Sequence, residues 1–134
     1  MGRLFGIIFG FLITVTPVVA QDAGAIEDVI ASQLDAFNDR DIETAWSFAS
    51  PMIQGLFGTP QNFGVMVEQG YPMVWTNADV QFLDLREVAG QFYQKVMVRD
   101  AGGQRHVMEY AMVETAAGWL INGVSELPLP DVGT

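Results

Sequence analysis

Asn77 marks a change of hydrophobic period, and that change limits this chain to a small set of folds. Before it the apolar residues recur at helical spacing. Ile26, Val29, Ile30, Leu34 and Phe37 lie along one side of a segment that starts near Ala25, with Glu27, Asp28, Ser32 and Asp35 on the other, an amphipathic helix. It runs out at Asn38-Asp39-Arg40-Asp41, where Asp41 suits the N-cap of a second helix carrying Ile42, Ala45, Trp46 and Ala49. Two helix starts then follow within ten residues: Ser50 before Pro51 and Thr59 before Pro60 each place a capping side chain ahead of a proline at the first helical position. Gly58 closes the first of these helices and Gly70 is expected to end the second as a glycine cap. Tyr71-Pro72 turns the chain away from helix, because the residue before proline is pushed to extended conformations.

Beyond Asn77 apolar and polar residues alternate, and Ala89-Gly90, Asp100-Ala101-Gly102-Gly103 and Thr115-Ala116-Ala117-Gly118 read as turns. They divide the segment into strands over 80–88, 91–99, 104–114 and 119–125. Connections this short allow only an antiparallel meander. Helices first and strands second give an α+β domain, with the N-terminal helices packed on one face of a four-stranded antiparallel sheet.

The length, 134 residues, suits one core. No cysteine is present, which removes disulfides, thiolate nucleophiles and thiolate metal ligands. Residues 1–20 read as a secretory signal: Arg3, an apolar run from Leu4 to Val15, then Pro17-Val18-Val19-Ala20. A retained membrane anchor is the alternative, but Leu4 to Val19 falls short of the roughly 20 residues a spanning helix needs. The expected layout is a leader over 1–20 cleaved after Ala20, one domain over 21–126 and an extended tail over 127–134, where Pro128 and Pro130 alternate with Leu127 and Leu129. The mature chain is expected outside the cytoplasm, in the periplasm, with no membrane association after cleavage. The formal charge of −10 becomes −11 once Arg3 leaves with the signal. Such an acidic chain without a basic stripe repels nucleic acid and anionic membranes.

With the simplest register at each turn, Asp84 faces Lys95, Met97 faces His106, Tyr93 faces Tyr110 and Met112 faces Ile121 on a mixed side. The other side pairs Leu83 with Val96, Val96 with Val107, Phe92 with Ala111 and Val113 with Leu120. This more aliphatic side is expected against the helices, although a one-residue slip at a turn changes the pairings. It also places Gln94 opposite Glu109 and Asn122 opposite Ala111. If that face encloses a cavity, Glu109 is the candidate acid or base, since desolvation raises a carboxyl pKa, and Gln94 and Asn122 are candidate ligand contacts. If the sheet outgrows its helices, all three are solvated edge residues. Tyr71 and Trp75 are candidate pocket-rim residues with polar tips, and Gln54 is the one junction side chain added to the site. The aromatics Trp46, Phe48, Phe57, Phe63, Tyr71 and Trp75 serve either as a cavity wall or as core. His106, the single histidine, reads as a strand-end polar residue, and one histidine without cysteine makes no ordinary zinc site. No metal and no cofactor are expected, as no nucleophile-elbow, zinc-protease, phosphate-loop or calcium-loop motif occurs.

The run Gln33-Leu34-Asp35-Ala36-Phe37, then Phe48-Ala49-Ser50-Pro51, Ile53-Gln54, Phe57-Gly58, Met66-Val67, Gly70-Tyr71 and Gly118-Trp119-Leu120-Ile121-Asn122-Gly123-Val124 resembles a bacterial family of unknown function, number 4864 among such domains. The resemblance covers 26–124. That family is similar in architecture to the nuclear-transport-factor-2-like, or cystatin-like, superfamily, which implies a strongly curved sheet whose concavity is filled by helices, a cone with a pocket. The superfamily holds isomerases, cyclases, dehydratases and members that only bind or dimerise, so fold does not settle function. The first reading is a noncatalytic domain that binds a small apolar molecule or a protein partner and forms a homodimer through the exposed sheet face. The alternatives are an isomerase-like or lyase-like enzyme using Glu109, and a structural envelope protein.

Overall fold

A computed structural model describes residues 15–129, and their side chains from Ala20 onward. The leader before residue 15 and the end of the tail, 130–134, lie outside the described residues. The first helix, α1 (Val15–Asn38), begins earlier than the apolar spacing indicates and runs unbroken past the expected cleavage point after Ala20. Its inward stripe of Ile26, Ile30, Leu34 and Phe37 is at most 1% exposed. Burying four such side chains contributes about 6–12 kcal/mol before the ordering entropy is counted.

The end of α1 is a Schellman turn in which Arg40 takes a left-handed φ of 59°. The Asp41 N–H donates to Ala36 O at 2.8 Å and the Arg40 N–H to Phe37 O at 3.0 Å. Glycine is the usual residue there, since a side chain in this conformation costs roughly 1–2 kcal/mol. The Arg40 side chain supplies the offset: its guanidinium donates to Phe37 O, Trp75 O and Thr76 Oγ1 and lies 4.4 Å from the centre of the Trp75 ring. It therefore fastens the end of α1 to the start of the sheet.

The remaining helices are α2 (Ile42–Ser47), α3 (Pro51–Phe57), α4 (Pro60–Gly70) and α5 (Pro72–Trp75). Their caps are the expected ones. Asp41, Ser50 and Thr59 accept from the backbone N–H groups of Thr44, Ile53 and Asn62 at 3.1–3.2 Å. Gly58 closes α3 with a left-handed φ of 79°. Gly70 differs from expectation, because it remains in the last turn of α4 and Tyr71 ends that helix instead. After Tyr71 the chain does leave helical geometry, but Pro72 at once starts the single turn α5.

The sheet consists of β1 (Asn77–Val88), β2 (Gln91–Asp100), β3 (Arg105–Thr115) and β4 (Gly118–Leu127), paired antiparallel in sequence order. The strand ends differ from the expected ones by up to three residues, β3 starting one later at Arg105, and Leu127 belongs to β4 rather than to the tail. Ala89 and Gly90 both have positive φ, 52° and 81°, the two-residue turn whose twist matches its flanking strands.

The second turn corrects the expected register. Asp100 donates its N–H to Gln104 O at 2.8 Å, so the loop is Ala101-Gly102-Gly103, three residues rather than two. Gly103 adopts a φ of 89°, the left-handed position of a bulged three-residue hairpin, and the Asp100 carboxylate accepts the N–H groups of Gly102 and Gln104. One extra loop residue slides β3 by one against β2. Gln94 now opposes Tyr110 and Lys95 opposes Glu109. A one-residue slide exchanges the two faces of a strand, so the helix-facing side joins Phe92, Gln94, Val96 and Val98 of β2 to Met108, Tyr110 and Met112 of β3. Trp119 and Ile121 of β4 complete it.

Candidate functional site

Helices α3 and α4 and the last turns of α1 stand over β3 and β4 without filling the space between, which leaves a cavity of about 240 Å³. Its walls are Gln33 and Phe37 of α1, Ile53, Leu56 and Phe57 of α3, and Phe63, Met66 and Val67 of α4. Tyr71 and Val74 close one side, and Tyr110, Ile121 and Val124 form the floor. Every one of these side chains is uncharged. Leu56 lines the cavity while remaining 70% exposed, which puts the mouth beside α3.

Two irregularities in the sheet shape the floor. In β4 Asn122 is an extra residue between the pairs Ala111 with Gly123 and Met112 with Ile121, a bulge that locally bends the strand. This edge is covered, since the Ser50 N–H donates to Ile121 O at 2.8 Å and the Ile121 N–H to Phe48 O at 2.9 Å. The Ser50 hydroxyl, besides capping α3, donates to Asn122 Oδ1 at 2.7 Å. The junction from Phe48 to Pro51 is thus both the start of α3 and a fourth, very short sheet contact, the parallel bridge of Ala49 with Ile121. In β1 Leu83 and Asp84 fall outside the pairing, and the buried Gln94 amide donates to Leu83 O, Asp84 O and Lys95 O.

Three polar side chains reach the lining, and they differ in what their donors do. The Gln33 amide donates to Ala45 O at 3.1 Å and the Tyr71 hydroxyl to Val124 O at 3.0 Å. The Tyr110 hydroxyl is buried and has no hydrogen-bond partner among the described residues. Burial, with a smaller contribution from nearby Tyr71, pushes the Tyr110 phenol well above its ordinary pKa, so it stays a proton donor.

Of the residues singled out from sequence, Tyr71 lines the cavity, with Phe57 and Phe63 among the aromatics. Gln54 donates to Trp46 O at 2.9 Å and ties α3 to α2. Trp75 packs under Arg40 and against Phe37. Asn122 is engaged by Ser50 and Gln94 by the β1 bulge. Glu109 does not join Gln94 and Asn122: the register slide turns it to the opposite face, where it meets Arg86 at 2.6 Å. Asp84 and Lys95 sit 3.9 Å apart, the expected cross-strand ion pair, here across the bulge.

His106 has orienting partners that sequence did not supply. Its Nδ1 is 2.8 Å from Glu126 and its Nε2 2.9 Å from Asp100, and these two carboxylates raise its pKa above the ordinary 6.5. Among the described residues no group of three or more His, Asp or Glu side chains could hold a metal ion. No helix among them is long and apolar enough to cross a membrane.

A family model described as Domain of unknown function (DUF4864) matches residues 19–134. The chain belongs to that family. No curated protein and no solved structure matches it. The matched span contains every residue that lines the cavity.

Two residues central to the cavity are not among the candidates expected from sequence. The simplest register pairs Tyr110 with Tyr93 on the mixed face, and Gly103 is the signal of the three-residue bulged loop that moves it opposite Gln94. Gln33 falls at helical spacing between Ile30 and Phe37, so its place on the apolar stripe of α1 was legible.

Proposed function

We infer that this domain binds a small apolar molecule in the cavity between α3, α4 and the sheet. The observation that carries the reading is the size and chemistry of that space. A cavity of about 150 Å³ with aliphatic and aromatic walls already takes up benzene, and this one, at about 240 Å³ with no charged side chain in its lining, accommodates a ligand of ~10 heavy atoms on the same scale. The binding is noncatalytic: Glu109, the one acid considered for chemistry, is held by Arg86 on the other face of the sheet.

Titrating p-xylene into isotope-labelled protein tests this reading. Amide shifts confined to α3, α4 and the Ile121–Val124 segment are expected, and they disappear in Val67→Phe, which fills the cavity. Shifts that persist unchanged in that variant would place the molecule elsewhere and end the proposal.

The layering of helices over one side of a bulged meander supports the kinship with nuclear-transport-factor-2-like domains. A homodimer through the outer sheet face draws less support, because among the described residues the large exposed apolar side chains are Met52 and Leu56 of α3, Val65 of α4, Leu129, and in the sheet Val88 alone, at the end of β1. Export rests on the pattern of residues 1–20, and the intact mass of the chain recovered from the periplasm should correspond to a start at Gln21.

A further inference from the structure

The polar groups of the cavity define the ligand more closely than its size does. Two of the three lining donors, the Gln33 amide and the Tyr71 hydroxyl, are spent on backbone carbonyls. The third, the Tyr110 hydroxyl, lies on a fully buried side chain in the floor and has no partner among the described residues. A buried donor left unmatched is costly, and native interiors nearly always match it. The Tyr71 hydroxyl donates to Val124 O, and its oxygen does not accept from Tyr110. Among the described residues the walls contain no arginine, lysine or histidine that could neutralise an anion and no carboxylate that could neutralise a cation, so either ion would enter with its desolvation uncompensated. The acidic chain, at −10, adds long-range repulsion for an anion.

We propose that the ligand is a neutral molecule with one hydrogen-bond acceptor, such as a ketone, ester or ether oxygen, that takes the Tyr110 hydroxyl while its hydrocarbon part points towards the mouth at Leu56. This rests on the cavity being a binding site, as inferred above. Tyr110 stands on β3 at the bottom and Leu56 at the exposed rim, which sets the direction. The raised pKa of the phenol keeps the proton on oxygen, so the hydroxyl is available as a donor to an acceptor on the ligand.

The probes are 2-octanone, its near-isostere 2-methyl-1-octene, in which a methylene replaces the carbonyl oxygen, and octanoate, each titrated into the wild-type chain and into Tyr110→Phe. That substitution removes an oxygen with no protein partner and leaves the ring to pack, so the fold is retained, which circular dichroism verifies. Loss of one buried hydrogen bond should weaken 2-octanone by about tenfold in the variant. The alkene should bind both proteins alike or the variant slightly better, and octanoate should bind wild type at least about tenfold more weakly than 2-octanone. The carbonyl carbon resonance of bound, labelled 2-octanone should move downfield in wild type and revert in Tyr110→Phe, a readout that altered packing alone would not produce. Equal changes for ketone and alkene, no change in either, or octanoate binding as well as the ketone would overturn the assignment while the cavity reading stands. Failure of both neutral probes to bind wild type would overturn the cavity reading itself.

Discussion

Helices α1 and α3 cover the same face of the sheet by different physical means. α1 is 24 residues long and sinks four large apolar side chains to 1% exposure or less, whereas α3 is seven residues long and buries none of its residues fully. α1 is held by area. α3 is held by polar bonds, the Ser50 cap and its bond to Asn122 at one end, the Asn62 bond to Phe57 O before Gly58 turns the chain at the other, and the Gln54 bond to Trp46 O between them. A helix fixed at its ends over unfilled space can open locally without unfolding the core, which suits the cover of a binding cavity. The same contrast fits the exposure of Leu56, which stands at the mouth of the cavity rather than on a floor.

The largest expected effect tests the α1 side of this contrast. Ile30→Ala should destabilise the domain by about 2–5 kcal/mol in denaturant unfolding, since the site is fully buried and cannot collapse onto a neighbouring cavity without loss of packing. A cost below about 1 kcal/mol would mean that α1 is not the foundation. Ser50→Ala tests the other side and should cost about 1–2 kcal/mol through the lost cap and the stranded Asn122. Faster hydrogen exchange should then appear in α3 while α1 keeps its protection, and a uniform loss of protection would break the distinction.

His106 should affect stability without touching the cavity, because it lies four residues along β3 from Tyr110, at the Asp100 and Glu126 end of the sheet. Bonds to Glu126 and then Asp100 raise its pKa above 6.5, so its charged form contributes below that pH and the contribution is lost as pH rises through the folded value. Asp100 is lowered below 3.8, first by His106 and then by the Gln104 N–H, so its share is present above that pH and lost as pH falls through its folded value. Both act together between about pH 4 and 6.5. Thermal melts should drop by roughly 2–5 °C from pH 5.5 to 8.5, and His106→Gln should flatten that slope. Ligand affinity that followed the same titration would show coupling that the geometry does not provide. The smallest stability effect belongs to Leu56→Ser, within about 0.5 kcal/mol for so exposed a side chain. The informative quantity there is the dissociation rate of a bound apolar probe, which should increase as the mouth loses its apolar rim.

Much of this architecture could be read directly from residues. Ser50-Pro51 and Thr59-Pro60 start helices because side-chain caps and proline geometry act within one turn of chain, and Ala89-Gly90 closes a hairpin for an equally local reason. The aliphatic stripe of α1 was visible for the same cause. The candidate site was less legible. Tyr71 was identified, but Glu109, Gln94 and Asn122 were grouped by a two-residue loop at Asp100–Gly103 that the chain makes with three. Because side chains alternate with period two, that single residue exchanged Glu109 for Tyr110 on the helix-facing side.

Sequence by itself determined the order of helices and strands, the helix caps, the antiparallel meander and the acidic, cysteine-free character of the chain, all set by short-range stereochemistry and composition. Tertiary structure alone decided which strand faces meet the helices, that Gln94 and Asn122 serve the two bulges, and that α3 spans a cavity with Tyr110 at its floor. Those outcomes depend on register and on how much space the packed layers leave, quantities shared by residues tens of positions apart.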